Sequence, residues 1–193
     1  MIFLRKNVGL LIFGLIILLV SASAANAQSV KGVDFADEVT LAGKKLYLNG
    51  VGVKKSFFQT IYVAGLYLPH PTSDPAKAIK IDTSKQIILQ VITSKLSKDK
   101  IVEEWNEGFF NNSQEMMHTL QEKITTFNSF FNKDMVANDR INISYISGLG
   151  TEVKINSETN IIIPGSDFMQ ALWAIWLGTN PADNDLKNGL LGK

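Results

Sequence analysis

Few side chains in this chain are placed to do chemistry. Lys54, Tyr62 and Tyr67 fall in one stretch rich in aromatic and β-branched residues. A lysine beside a buried tyrosine can hold a carboxylate or another anionic head group while apolar surroundings take a tail. Both residues also have a plainer reading, Lys54 as a solvated strand-end residue and Tyr62 as a core aromatic. Tyr62 and Tyr67 are an odd number of positions apart, so on an unbulged strand they face opposite sides of a sheet. They share a cavity only if a bulge intervenes at Gly65. His70 and His118 have no carboxylate at ligand spacing, which argues against a zinc site. Asn49-Gly50-Val51-Gly52 holds a Gly-x-Gly, but no phosphate-binding lysine or helix follows it, so it reads as a tight turn. Glu103, Glu104 and Glu107 are acid–base candidates by type, yet neighbouring helix carboxylates ordinarily face solvent and are read so here. Ser166 reads as a helix cap. With no cysteine in the chain, disulfides, thiolate ligands and a cysteine nucleophile are excluded, and no pattern calls for a cofactor.

The N-terminus reads as a processing segment. Arg5 and Lys6 precede an apolar run from Val8 to Val20, and small residues from Ser21 to Ala27 follow. That order is a secretory signal peptide with cleavage expected after Ala27, and the run is shorter than the ~20 residues that span a bilayer. The mature chain, residues 28–193, is then one domain in the periplasm or outside the cell, touching the membrane only through the signal peptide during export. Losing Arg5 and Lys6 from 19 basic residues against 18 acidic ones leaves a net charge of about −1. Such a balance gives no electrostatic reason to bind nucleic acid.

The elements that must position these side chains follow from periodicity. Val39–Leu41, Lys45–Leu48 and Val51–Val53 read as short strands, and Phe57 to Leu68 as a central strand that Pro69, Pro71 and Pro75 end in a surface loop. Ile87 to Ile92 is another strand. Ser97 caps a helix whose apolar stripe is Ile101, Val102, Trp105 and Phe109. A second helix, starting near Asn112-Ser113, buries Met117, Leu120, Ile124, Phe127 and Phe131. Ile141, Ile143 and Tyr145, then Val153 and Ile155, alternate with polar residues as antiparallel strands do. Turns are expected at Gly148-Leu149-Gly150 and Ser157-Glu158. Ile161-Ile162-Ile163 stops at Pro164-Gly165. The helix behind it, ending at Gly178, is apolar on almost every side and must lie inside the fold. Asp183 to Leu191 forms a last short helix. Strands, two helices, strands and a helix make an α+β chain.

Several stretches together resemble the chalcone isomerase family, from about Val39 to the end. They are Asn49-Gly50-Val51-Gly52-Val53, Tyr62 to Pro69, Leu96-Ser97, Asp139 to Tyr145, Gly148-Leu149-Gly150-Thr151 and Leu172-Trp173-Ala174-Ile175-Trp176-Leu177-Gly178. The resemblance implies an open-faced β-sandwich, a large antiparallel sheet with helices layered on one face and a cleft between. It also implies a choice of function, because the family holds flavonoid-ring isomerases, fatty-acid-binding relatives and members without known activity. The isomerases use an arginine, a threonine, a tyrosine and an asparagine; here those positions align with Lys54, Tyr62, Ile101 and Gly108. Ile101 and Gly108 have no side-chain donor for a developing charge. The fatty-acid binders hold a carboxylate with an arginine and a tyrosine. Tyr62 fits that role, with Lys54 in place of arginine but lacking its bidentate fork.

On this resemblance the first expectation is a non-catalytic binder of a fatty acid or similar amphipathic small molecule, in a cleft lined by Phe57, Tyr62, Phe109 and Trp173. A partner-binding or structural role with the cleft filled by its own side chains comes second. An isomerase-like enzyme of unknown substrate, with Tyr62 as acid and Lys54 as stabiliser, comes third.

Overall fold

The computed structural model describes residues 27–156, 158 and 161–193. The export segment expected over residues 1–27 therefore lies outside the described residues up to residue 26, as does Ser157 of the expected turn. A hairpin of β1 (Ala27–Val30) and β2 (Val33–Ala36) comes first. Seven strands then pair antiparallel in chain order: β3 (Glu38–Leu41), β4 (Lys44–Ser56), β5 (Gln59–Leu68), β6 (Lys85–Val91), β7 (Arg140–Ile146), β8 (Gly150–Ile155) and β9 (Ile161–Ile163). Helix α1 (Pro75–Lys80) sits between β5 and β6, and α2 (Lys98–Ser113) and α3 (Met117–Phe130) between β6 and β7. The chain closes with α4 (Ser166–Leu177) and α5 (Asn184–Leu190).

Strand alternation divides the sheet's side chains between two cores. Tyr62, Ala64, Leu66 and Leu68 of β5, with Ile87 and Leu89 of β6 and Ile141 and Ile143 of β7, meet the helices. Val63, Tyr67 and Ile88 point the other way, into a smaller core closed by Val33 and Phe35 of the first hairpin. Helix α4 lies deepest, with every residue from Ala171 to Leu177 buried, as an all-round apolar helix requires. Ser97 caps α2 as expected, its hydroxyl accepting the Lys100 N–H at 3.3 Å. Asp183 likewise caps α5, accepting the Leu186 N–H at 3.0 Å.

Four expectations need correction. Asn49-Gly50 is not a turn: β4 runs straight through it, with a register shift between Leu48 and Gly50. Asn49 leaves the ladder to donate to the Leu190 carbonyl at 2.7 Å and to accept the Thr72 N–H at 2.6 Å. The glycines serve a close approach instead, because a Cβ on Gly52 would stand 2.3 Å from the Leu186 carbonyl oxygen and one on Gly50 2.2 Å from that of Gly189. The central strand begins at Gln59, because Phe57 and Phe58 form the turn before it. Pro75 opens α1 rather than prolonging a loop; Asp74 caps it, accepting the Ala76 N–H at 2.9 Å. Ser166 is the first residue of α4 and makes no cap hydrogen bond. Gly52→Ala is expected to lower the unfolding free energy by about 2 kcal/mol, since the obstacle is backbone and cannot rotate away; urea denaturation measures it.

Candidate functional site

Lys54 on β4 pairs directly with Tyr62 on β5, so both side chains lie on the helix-facing side of the sheet. The Lys54 ammonium donates to the Ala182 carbonyl at 2.6 Å, in the loop between α4 and α5. Tyr62 is buried, and its hydroxyl accepts the Trp176 indole N–H at 3.1 Å. Burial holds the Tyr62 phenol well above its ordinary pKa, only partly offset by that hydrogen bond. The hydroxyl therefore stays protonated and free to donate at neutral pH.

A pocket of about 190 Å³ opens beside this pair, lined by Lys54, Lys100, Glu104, Glu107, Asn180 and Ala182 among others. Helix α2 supplies Lys100, Glu104 and Glu107 along one face, as residues three and four apart must lie. The post-α4 loop is stapled to the end of α2: Asn112 donates to the Asn180 carbonyl at 2.7 Å and accepts the Asn180 N–H at 3.0 Å. Half-buried Glu104 has its carboxyl pushed above the usual range by burial, with Lys54 and Lys100 pulling it back. Glu104 thus departs from the expectation that all three α2 carboxylates face water; Glu103 and Glu107 are exposed. Sequence reasoning missed Lys100 and Asn180 as pocket residues. The one legible hint was Lys100 standing four positions before Glu104 on the capped helix.

The other expected site residues do not gather here. Phe57 lies at the hairpin tip, 97% exposed, and lines nothing with Phe109 or Trp173. The physical reason is the two-residue turn, which carries its side chains beyond the last strand pair. Tyr67 points into the opposite core, and no bulge at Gly65 turns it back, since β5 and β6 pair without a shift from Tyr62 to Tyr67. Its phenol is pushed up to about 12, chiefly by burial. Phe109 and Trp173 are fully buried, but in packing rather than in a cleft wall. Trp176, not Trp173, is the tryptophan that meets Tyr62. The space expected to be a cleft is occupied by aromatic rings: Trp105 stands 5.4 Å from Trp176 and 5.8 Å from Phe127, and Phe127 5.1 Å from Phe131.

The isomerase positions are closed as well as chemically mute. Ile101 and Gly108 are both buried, and a Cβ on Gly108 would stand 2.7 Å from Ile175 Cγ2. A hydrogen-bonding side chain has no room there.

An antiparallel sheet with helices on one face and a polar pocket at the sheet–helix edge defines the open-faced β-sandwich class. The chain belongs to the chalcone isomerase-like family, whose model matches residues 27–192. Its fold is similar to the crystal structure of a fatty-acid binding protein of Arabidopsis thaliana, with a TM-score of 0.66 and 15% identity over 86% of this chain and 96% of that one. No curated protein matches the sequence.

Proposed function

We propose that this protein is a non-catalytic, exported binding protein for a fatty acid or a similar anionic amphipathic molecule, acting in the periplasm. The observation that carries the reading is Lys54, which lines the pocket between β4, α2 and the post-α4 loop and pairs on the sheet with Tyr62. Lys54 and Lys100, standing with Glu104 and Glu107 in the lining, supply the positive charge for a carboxylate, while the Tyr62 hydroxyl sits behind the lining, bonded to Trp176. That the similar Arabidopsis thaliana structure is of a fatty-acid binding protein adds support from a shared fold. At about 190 Å³ the pocket takes a head group; it is smaller than the ~300–1,000 Å³ of ordinary ligand sites. A tail enters only if α4 shifts on α2 and the rings around Trp176 repack.

Native mass spectrometry of protein purified gently from its own compartment, followed by extraction, tests the reading. A stoichiometric fatty acid, reduced about tenfold or more in Lys54→Met/Tyr62→Phe, is the expected result, since the pocket lysine and the hydroxyl behind it are removed together. An empty protein that also ignores added fatty acids would overturn it. That outcome would favour a second reading, a partner-binding or structural role, which the ring-filled interior supports.

A further inference from the structure

We propose that the Phe57–Phe58 hairpin tip docks this protein onto an anionic lipid surface. The two rings are 97% and 105% exposed and form the whole turn between β4 and β5. Phe57 has φ +53°, a left-handed conformation that disfavours a bulky side chain and that glycine adopts freely. No packing within the fold offsets that cost. The tip is the convex end of a two-stranded ribbon, so a flat, rigid protein surface would meet the rings poorly. A bilayer can flow around them, and aromatic rings settle at head-group depth.

The charge around the tip matches. Residues 54–62 contain Lys54 and Lys55 and no carboxylate. Residues 91–98, joined to the tip by Gln59 Nε2 donating to Thr93 Oγ1 at 3.0 Å, contain Lys95 and Lys98 and again no carboxylate. Acids reach this end too: Asp99 follows Lys98 in the chain, and half-buried Glu104 lies near Lys54. Asp134 pairs with Lys95 at 3.0 Å, and Asp183 accepts the Lys55 backbone N–H at 3.4 Å. Lys55 and Lys98 enter none of the ion pairs among the described residues. Lysines flanking exposed aromatic rings are what anionic head groups attract. Because Lys54 lines the pocket from this same hairpin, a docked tip sets the pocket beside the bilayer. The proposal stands whether or not a fatty acid binds.

Flotation with vesicles of phosphatidylglycerol and phosphatidylethanolamine, at about 1:3, tests it with wild type and variants purified from the same exporting host. Wild type is expected to float. Phe57→Ser/Phe58→Ser is expected to lose about fivefold or more of that binding, and wild-type binding to fall between about 50 and about 500 mM salt. Phe57→Gly/Phe58→Ser should lose binding equally while keeping or raising the thermal midpoint, which separates docking from folding. Equal flotation of wild type and variants, or none by wild type, overturns the proposal. So does a wild-type dimer in sedimentation velocity that the double variant dissolves, because the tip then docks on a second copy. Fatty-acid content measured on the same variants is expected to stay unchanged, so the two proposals fail separately.

Discussion

Trp176→Ala is expected to lower the unfolding free energy by about 3–5 kcal/mol, as large-to-small changes of a packed aromatic do. Trp176 is fully buried on α4, edge-on to Trp105 at 5.4 Å, and its indole N–H donates to the Tyr62 hydroxyl. Alanine removes the area, the ring contact and the donor together, and neighbouring rings held at 5–6 Å spacing cannot close the gap without leaving their own partners. Trp176→Phe keeps most of the volume and should cost about 1–2 kcal/mol, mainly through the lost donor. Urea denaturation of both variants near pH 7 reads the difference. The same pair probes the ligand reading. A space opened beside Tyr62 should let a medium-chain fatty acid raise the thermal midpoint of Trp176→Ala more than that of wild type.

Lys85→Met should be almost as costly, and its cost should depend on pH. Lys85 is fully buried, and its ammonium donates to the last carbonyls of α1, Ala78 at 2.8 Å and Ile79 at 2.7 Å, with the Trp173 ring 5.5 Å away. Burial lowers its pKa to about 7, against a smaller upward pull from Asp82. The unfolded chain keeps the proton up to about 10.5, so from about pH 7 to 10 the unfolded state binds more protons than the folded one. Wild-type stability should therefore rise with pH across that window, by at most about 1.4 kcal/mol per unit. Above pH 10 the raised phenols of Tyr67 and Tyr145 act the other way, since unfolded tyrosines ionise first. Methionine strands two carbonyls at a loss of about 2–4 kcal/mol, and the rise between pH 7 and 10 should flatten. Denaturation at pH 6 and pH 9 measures both, with the larger deficit at pH 9.

Phe57→Gly alone should stabilise the fold by about 0.5–1 kcal/mol, the left-handed cost at φ +53° less the added chain entropy of glycine. Chemical denaturation checks it, and its sign is opposite to the other substitutions.

How much was legible from the residues depended on range. Ser97, the alternation of Ile141, Ile143 and Tyr145, and the apolar run from Ala171 to Leu177 announced their structures, because capping and burial act over a turn or a strand. The β1–β2 hairpin did not, since Val33-Asp34-Phe35-Ala36 is too short to carry a period and owes its place to Phe35 seated over Gly65. The glycines at 50 and 52 looked like turn residues, but their reason lies in α5, far along the chain. The Phe57-Phe58 turn has neither glycine nor asparagine to mark it. Lys54 and Tyr62 could be named from sequence, whereas their α2 and loop partners are set by how α4 and its following loop dock, which no local pattern encodes.

Strand order equal to chain order has a consequence for synthesis. Each of β4 to β9 pairs with the strand before it in the chain, so most pairings close short connections, while β6 and β7 must meet across α2 and α3. The helix that covers the middle of the sheet begins only at Ser166. A nascent chain halted before that point holds a paired sheet whose greasy side has lost its innermost cover, a surface that invites aggregation. Helix α4 is thus the closing piece of this core: the sheet's helix-facing side is not fully covered until residues 166–177 have packed onto it.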